Sequence, residues 1–393
     1  PHGEEIHSFT PIQHPADKTE EGTSITTHFE YHSIEHNLLK LDILGHDDPT
    51  MIKRLGDLTG IDYDTIPLDD KDVMELFKST ASLGIKPADI DGIPTGTLGI
   101  PEFGTNFVIN MLVDAKPSNI SDLVRISGLS HGTGVWNGNA DELIKSGTAV
   151  LQTCICCRDD IMSYLIGKGM DKQLSFKTME SVRKGKGLAP EMEEVMVSAG
   201  VPDWYIGSCK TIQYMFPKAH AAAYVMMAWR VGWYKVHYPL EYYSAFFSIR
   251  AKAFSYENCC RGRSRLLEIY EGYKKLPKPT DVEKNEMQDM KLVLEMYARG
   301  FEFEPIDLFR VNAKYCIIVD GKIMPHLSSI SGIGQKAADD MITKIARFEK
   351  TPFLSLEDFC NRSGASMDTA KRFVELGILP EMPESNQLSL FDM

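Results

Sequence analysis

A basic, glycine-rich turn holds the residues of this chain whose types and spacing best suit a polyphosphate. It reads Arg183-Lys184-Gly185-Lys186-Gly187 and follows a helix-like stretch from Met179 to Val182. Alternating glycines and lysines put backbone N–H groups and mobile ammonium groups at one place, where they can hold phosphate oxygens. The turn lacks the glycine–lysine–serine/threonine signature of the P-loop. Taken alone, it is more typical of a solvated helix end.

A second basic cluster, consisting of Lys218, His220 and Tyr224, follows Pro217. Proline can begin a helix, and a lysine and a histidine near a helix N-terminus favour an anion there. His220 and Tyr224 are four residues apart, so they share one helix face. The alanines between them let a bulky ligand lie close to the helix. A ligand site and an ordinary core histidine or tyrosine both remain open.

Asp42 lies within the apolar run Leu38–Gly45, which predicts a buried strand. A carboxylate is expensive to bury unless it is paired or bound to a metal ion. Asp42 alternates with Leu41 and Ile43, so it points out of the opposite face of the sheet. Phosphoryl transfer by two metal ions needs several carboxylates around ions about 3.5–4 Å apart. Asp42 alone cannot supply them, and an edge-strand aspartate facing solvent is the alternative.

A glycine pattern before another predicted helix, Ile330-Ser331-Gly332-Ile333-Gly334, is that of a helix-hairpin-helix. Gly332, Ile333 and Gly334 would present backbone N–H groups to a DNA phosphate, and Lys336 would join them from the helix start. Contacts of this kind position a duplex without reading its sequence. A plain turn between two helices is the alternative. A weaker second copy, without the double glycine, runs from Leu354 through Phe359 to Gly364.

The last residues carry apolar anchors among polar neighbours, on an end that we expect to be flexible from Met382 onward. The anchored peptide consists of Gln387, Leu388, Ser389, Leu390 and Phe391. Such a peptide docks its apolar side chains into a pocket of a partner protein. A disordered end that is merely sticky is the alternative.

Composition and cysteine usage bound the class of protein. The 393 residues suffice for two to three domains. The formal net charge of -13 argues against a non-specific nucleic-acid coat protein, although a local basic patch can still bind DNA. Cys154, Cys156 and Cys157 lack zinc-site spacing, so we expect thiols that are structural or incidental and that are reduced. No membrane span and no secretory leader are predicted, which indicates a cytoplasmic location and no membrane partner.

The elements that must position these residues are mostly helices, so the predicted fold class is mainly α with a small β contribution. We expect a helix to start at Asp47 and four others to follow it along the chain. Lys274–Met290 resembles a loop leading into a further helix. Tyr315–Val319 before Asp320-Gly321 predicts a hairpin, and we place a domain boundary near residue 300. The predicted helical ranges are Asp70–Thr80, Phe107–Asp114, Asp159–Lys168, and Ala219–His237, the last ended by Pro239.

These motifs, in this order, resemble the C-terminal part of PolC-type bacterial DNA polymerase III alpha subunits over nearly the whole chain. Long runs carry the resemblance, and they are far more specific than short motifs. The segment Tyr256–Arg265 departs from the pattern and leaves the edge of the helical domain uncertain. The matching runs are His36–Pro49, Leu98–Gly104, Ile126–Thr133, Glu180–Gly187 and Tyr214–Tyr224.

The resemblance implies an organisation and a set of site residues. It implies the end of a palm domain with part of its sheet in 1–65, fingers in 66–300, a helix-hairpin-helix region in 301–381 and a tail in 382–393. Asp42 would be the third palm aspartate and a ligand of Mg²⁺, with its two companions upstream of Pro1. Gln387–Phe391 would bind the sliding clamp. The expected nucleotide-binding residues are Arg158, Arg183, Lys184, Lys186, Lys218, His220 and Tyr224.

The implied function is template-directed DNA synthesis, in which nucleotidyl transfer joins a deoxynucleoside triphosphate to a primer 3′-hydroxyl. The partners would be primer–template DNA, the incoming nucleotide, the sliding clamp and other replisome subunits. The chain alone would be inactive because the other palm aspartates lie upstream, and the family's phosphatase-like and exonuclease domains are not recognised in it. The alternatives are a non-enzymatic DNA- and clamp-binding module and a helix-hairpin-helix repair nuclease.

Overall fold

A computed structural model of the chain describes residues 3–14, 24–41, 45–348 and 351–385. The chain divides into two compact units, Pro1–His46 and Asp47–Met393. Asp42 and the tail peptide Gln387–Phe391 lie outside the described residues. The domain boundaries expected near residues 65, 300 and 381 stay predictions.

The first unit contains little regular structure. Two short strands, β1 (Ile12–Gln13) and β2 (Thr26–Thr27), pair antiparallel. Two 3-10 turns, Ile6–Ser8 and Tyr31–Ser33, flank them.

The strand expected over Leu38–Gly45 is wrong for the residues that are described. Residues 38–41, 45 and 46 form no strand, and the side chains of Leu39 and Leu41 are 83% and 73% exposed. An apolar strand needs paired neighbours for its backbone groups. Within the described part of this unit, no strand pairs with this run.

The second unit is helical, with a single hairpin of β3 (Ile317–Val319) and β4 (Lys322–Met324) in its described part. The fold class predicted from the sequence, mainly α with a small β contribution, is confirmed. The α-helices are α1 (Asp47–Thr59), α2 (Lys71–Leu76), α3 (Asn106–Ala115), α4 (Ile120–His131), α5 (Asp141–Lys145), α6 (Arg158–Gly167), α7 (Lys172–Arg183), α8 (Pro190–Ser198), α9 (Asp203–Thr211), α10 (Lys218–His237), α11 (Pro239–Ile249), α12 (Tyr256–Cys259), α13 (Arg263–Lys274), α14 (Asp281–Ala298), α15 (Gln335–Ile345), α16 (Leu356–Ser363) and α17 (Met367–Glu375).

Capping residues explain where several helices begin and where the sequence prediction went wrong. The expected starts of α1 and α10 are confirmed, and Pro239 ends α10 by beginning α11. The helix predicted over Asp70–Thr80 is shorter in the structure, where α2 ends at Leu76. The predicted loop over 274–290 is mostly wrong. Thr280 and Glu283 form a reciprocal capping box that starts α14 at Asp281.

Two cores hold the second unit together. The larger core surrounds α10, which packs against α1, α2, α4 and α11. Within it the Trp229 ring lies parallel to Phe77, and its indole N–H donates to the carbonyl oxygen of Pro67 at 2.8 Å. The smaller core gathers side chains of α15, α16 and α17 with those of Ile306 to Leu327. None of the described helices is both long and apolar enough to cross a bilayer.

A fully buried ion pair fixes the loop that precedes α3 to the centre of the larger core. Lys235 Nζ donates to Glu295, to the carbonyl oxygen of Gly96 at 2.8 Å and to that of Leu98 at 2.6 Å. The Tyr243 hydroxyl donates to Glu295 Oε1 at 2.7 Å. Burial lowers the pKa of Lys235 to about 8 against the opposing effect of Glu295. The pair therefore joins α10, α11 and α14 to the loop.

We predict that Glu295→Ala lowers the free energy of unfolding by about 3–5 kcal/mol, because it leaves the buried Lys235 ammonium without its counter-ion. Asp281 offers a control on the same helix, since its pair with Lys284 is exposed to solvent. Asp281→Ala should leave stability nearly unchanged. Urea unfolding followed by circular dichroism measures both. Equal effects of the two substitutions would contradict the role given to the buried pair.

Candidate functional site

An extended segment, Gln213–Phe216, lies at the centre of the candidate site; we refer to it as the central segment. It connects α9 to α10. Its Gln213 N–H donates to the carbonyl oxygen of Thr133 at 2.9 Å, and the Thr133 N–H donates to that of Tyr214 at 3.0 Å. These bonds make an antiparallel bridge between the segment and the turn after α4.

The same segment contacts the basic turn that follows α7. The Met215 N–H donates to the carbonyl oxygen of Arg183 at 3.3 Å. Gly185 has a φ of +69° and lies so close that an added Cβ would meet the Gln213 carbonyl oxygen at 2.6 Å. Only glycine fits such a position without displacing the neighbouring backbone. The glycine in the basic turn is therefore explained by close packing on the central segment.

A third contact ties the start of α6 to the central segment. The Arg158 N–H donates to the carbonyl oxygen of Phe216 at 3.2 Å. Lys218 begins α10 directly after the segment. The structure thus brings together the separate stretches of sequence that carry the seven nucleotide-binding residues expected from the resemblance. What those residues bind stays a prediction.

Glu180 orients two of the basic side chains. It accepts two hydrogen bonds from the guanidinium of Arg183. It also forms an ion pair with Lys184 Nζ at 3.0 Å. The Arg183 hydrogen bonds, with those of Lys184, lower the pKa of Glu180 to about 2 despite partial burial. Arg183 is thereby held in one orientation, and the Lys184 side chain remains 48% exposed.

Lys218 is held by two aspartates at the start of α6. Its backbone N–H donates to Asp159 Oδ2 at 2.6 Å, and its Nζ donates to Asp160 Oδ1 at 3.1 Å. Asp160 Oδ2 also accepts the backbone N–H groups of Cys156 and Cys157. The lysine head group is thus held at the start of α6 by Asp160, with its side chain 43% exposed.

Arg158 and Lys186 are the uncompensated cations of the site. Within the described part of the chain, neither side chain forms a hydrogen bond or an ion pair. Lys186 is exposed on the basic turn, and Arg158 is half-buried at the first position of α6. Two cations without a partner among the described residues, together with three that pair with carboxylates, suit an anion with several charged oxygens.

Aromatic rings form a continuous wall beside these cations. The His220 ring stacks on Phe216 with centroids 4.9 Å apart, and Tyr224 follows at 4.6 Å from His220. Tyr214 meets the edge of Phe216 at 5.3 Å, and His131 does so at 5.5 Å. The wall offers ring faces to a planar ligand. Phe216, Tyr214 and His131 were not predicted as site residues, although the matching sequence runs contain all three.

The thiols of Cys154, Cys156 and Cys157 lie behind the site in the larger core. All eight cysteines of the chain are free. Burial raises the pKa of Cys154 to about 11 and that of Cys157 to about 12. A thiol with a raised pKa stays protonated and unreactive when no metal ion is bound.

No group of three or more His, Cys, Asp or Glu side chains in the described ranges is arranged to hold a metal ion. The carboxylate assigned to Mg²⁺ by resemblance, Asp42, falls outside those ranges. The described residues therefore do not make up a metal site. The predicted metal and clamp residues stay untested predictions.

The glycine hairpin lies at the edge of the smaller core. Gly332 adopts a φ of +81°, and Gly334 precedes α15, whose first N–H groups have no helical partner. Lys336 is exposed in the first turn. The weaker copy over Leu354–Gly364 contains α16, which ends at the left-handed Gly364.

An ion pair holds this hairpin against α12. Glu257 accepts the Ser331 N–H at 3.1 Å and pairs with the Arg372 guanidinium. Arg372 also donates to the Ser331 carbonyl oxygen at 2.6 Å. Glu257 belongs to the segment whose sequence departs from the family pattern. That segment therefore has a structural task, the support of the hairpin.

Known proteins resemble this chain in two of its parts and over its whole length. Residues 48–201 match the model of the bacterial DNA polymerase III alpha subunit finger domain, and residues 300–388 match that of a helix-hairpin-helix motif. A DNA polymerase III PolC-type of Caldanaerobacter subterraneus is 50% identical over 100% of this chain and 28% of its own length. Those of Listeria monocytogenes and Bacillus subtilis are both 51% identical over 98% of this chain and 26% and 27% of theirs. The chain thus spans about a quarter of the length of these relatives.

We predict that Gly185→Ala destabilises the protein more than Gly187→Ala does. Both glycines have a φ of +69°, but nothing lies within 4 Å of a Cβ added at Gly187. Gly187→Ala should cost only the backbone strain, about 1–2 kcal/mol, whereas Gly185→Ala also pushes the central segment away. Urea unfolding compares the two variants. Equal losses would show that the close approach at Gly185 does not matter.

Proposed function

Because the chain belongs to the PolC-type DNA polymerase III family and corresponds to a C-terminal portion of its members, we propose that it supplies the fingers and duplex contacts for template-directed DNA synthesis. One observation carries the proposal. The central segment gathers the seven expected nucleotide-binding residues, which come from three separate stretches of sequence. We place this activity in the cytoplasm.

The basic side chains take the triphosphate of the incoming deoxynucleotide. Arg183 offers a planar, oriented fork of donors, and Lys184 adds a mobile charge beside it. Arg158 and Lys186 supply charge that no carboxylate among the described residues neutralises, and Lys218 adds another from the start of α10. Fixed donors aimed at phosphate oxygens act strongly where water is excluded.

The aromatic wall takes the base or sugar of the same nucleotide. His220 and Tyr224 lie on one face of α10, and Phe216 extends this face into the central segment. A ring face accepts every base without distinguishing among them. This tolerance suits an enzyme whose selectivity comes from pairing with the template.

The reaction that we propose is attack of the primer 3′-hydroxyl on the α-phosphate of the nucleotide, with pyrophosphate leaving. We assign Asp42 as one carboxylate ligand of the Mg²⁺ ions of the complete enzyme. The other carboxylates belong to sequence upstream of this chain in the longer relatives. Activity is therefore tested on the chain joined to that upstream sequence.

We predict that Asp42→Asn abolishes primer extension while leaving affinity for primer–template nearly unchanged, because one lost charge affects the chemical step far more than duplex binding. Extension on a labelled primer and fluorescence anisotropy measure the two effects. Equal loss of both would make Asp42 a structural residue. Extension that survives would instead favour a non-enzymatic DNA- and clamp-binding module.

The hairpin around Gly332 and Gly334 binds a phosphate of the primer–template duplex. The helix-hairpin-helix match supports this assignment, and so does the open N-terminus of α15, where backbone N–H groups favour an anion. Lys336 adds a charge at the same place. The alternative of a repair nuclease has no supporting observation in the described part of the chain.

We predict that Lys336→Ala weakens duplex binding for all sequences alike and lowers the slope of log affinity against log salt by about 1. Lys322 on β4 is the control, because its side chain is 43% exposed but pairs with Glu302 at 2.9 Å. Lys322→Ala should leave the slope unchanged. A hairpin that does not touch DNA would give the same slope for both variants.

The tail peptide Gln387–Phe391 tethers the enzyme to the sliding clamp and so raises its effective concentration at the primer end. We predict that deleting these five residues weakens clamp binding, measured by surface plasmon resonance. Distributive synthesis on short templates without clamp should be unchanged. Clamp affinity that survives the deletion would place the clamp contact elsewhere in the protein. We expect other replisome subunits as further partners.

A further inference from the structure

His131, the last residue of α4, has a hydrogen-bond acceptor at each ring nitrogen. Its Nε2 lies 2.7 Å from Glu102 Oε2, and its Nδ1 lies 2.8 Å from the Ser127 carbonyl oxygen. A carboxylate and a carbonyl can only accept, and a neutral imidazole has a single N–H. The contacts to Glu102 and to the Ser127 carbonyl are therefore satisfied together only when the ring is the imidazolium. In the neutral ring, Nδ1 can instead accept a hydrogen bond from the Ser130 hydroxyl, which lies 2.9 Å away.

The imidazolium lies against the aromatic wall of the nucleotide site. Its ring and that of Phe216 are 5.5 Å apart at 80°, so they meet edge to face. Phe216 also contacts His220, which stacks nearly parallel to it at 21°. Phe216 thus contacts both His131 and the residue proposed to contact the nucleotide.

Glu102 lies on a loop that hydrogen bonds attach to the larger core, and from this loop its side chain contacts His131. The residue has a φ of +68°, which is unusual for a side chain other than glycine. Lys235 Nζ and the Tyr242 hydroxyl both donate to the Leu98 carbonyl oxygen at the start of this loop. The glutamate side chain is only 15% exposed. The core thus holds Glu102 where it meets His131.

We propose that His131 and Glu102 are positioning residues for the incoming nucleotide: the ion pair fixes Phe216 and, through it, the His220 ring. This inference rests on the proposed function of the site. Neither residue contacts the nucleotide in the proposal, and neither belongs to the residues expected from the resemblance. Nucleotide affinity should therefore depend on whether His131 is protonated.

The charges around the ring set the direction of the pH dependence. Glu102, from the loop before α3, is the charged group that acts on His131; its own helix presents only the Ser127 carbonyl and the Ser130 hydroxyl, and the central segment presents rings. The hydrogen bond to Glu102 raises the pKa of His131 above its usual 6.5 against partial burial. The ion pair of His131 and Glu102 is therefore fully formed below pH 6.5, the usual pKa of histidine. It is lost as the pH rises through the raised pKa of His131.

The test is steady-state incorporation of a single nucleotide by the chain joined to its upstream sequence, measured between about pH 6 and 9. The wild-type KM for the nucleotide should be low at acidic pH and rise through the raised pKa of His131, with little change in kcat. His131→Gln should raise KM about tenfold, the size expected for one charge-assisted hydrogen bond, and remove its pH dependence. Glu102→Gln should move the inflection to lower pH.

His237→Gln is the matched control. His237 Nε2 lies 2.8 Å from Asp70 Oδ2, and its side chain is 32% exposed against 34% for His131. It lies at the far end of α10, outside the site, so its KM profile should follow that of the wild type. A shift of the inflection in Glu102→Gln is an effect that a merely structural pair would not produce.

The outcomes separate this inference from the proposed function. A wild-type protein that incorporates no nucleotide at any pH would overturn the proposed function itself. Wild-type incorporation with a KM that is flat over this pH range, or that is unchanged in His131→Gln, would overturn the positioning role alone. Equal changes in His131→Gln and His237→Gln would do the same.

Discussion

The site depends on one stretch of extended backbone. Gln213–Phe216 exchanges hydrogen bonds with Thr133 and with residues of the basic turn and the start of α6. Buried backbone N–H and C=O groups need hydrogen-bond partners. These hydrogen bonds therefore fix the relative positions of the segments that they join. The cations and rings that we assign to the nucleotide all extend from these segments. A substitution that moves the central segment therefore changes every part of the site together.

The basic side chains of the site fall into two groups, those held by carboxylates and those without such partners among the described residues. Glu180 and Asp160 hold Arg183 and Lys218 in place, whereas Arg158 and Lys186 keep their charge for a ligand. The net charge of -13 is thus compatible with an anion site, because the carboxylates orient cations rather than cancel all of them. Behind the site, the buried pair of Lys235 and Glu295 secures the loop that carries Glu102.

The sequence was informative where local chemistry decides the structure. Periodicity and proline positions located α1, α3, α6 and α10, and an Asp-Gly turn located the hairpin of β3 and β4. One local signal, the capping box of Thr280 and Glu283, was overlooked. Elsewhere the prediction failed because distant contacts decide: the run Leu38–Gly45 is apolar, but no strand pairs with its described part. The sequence also could not reveal that Phe216 and His131 pack together, because 85 positions, from 131 to 216, separate them along the chain.

Photoaffinity labelling with 8-azido-dATP tests most directly whether the central segment assembles the nucleotide site. The reagent is bound to the complete enzyme with primer–template, irradiated, and the labelled peptides are identified by mass spectrometry, with unlabelled dATP as competitor. We expect competable label within residues 183–187 or 214–224. Label confined to residues 300–385, or label that dATP does not displace, would contradict the account.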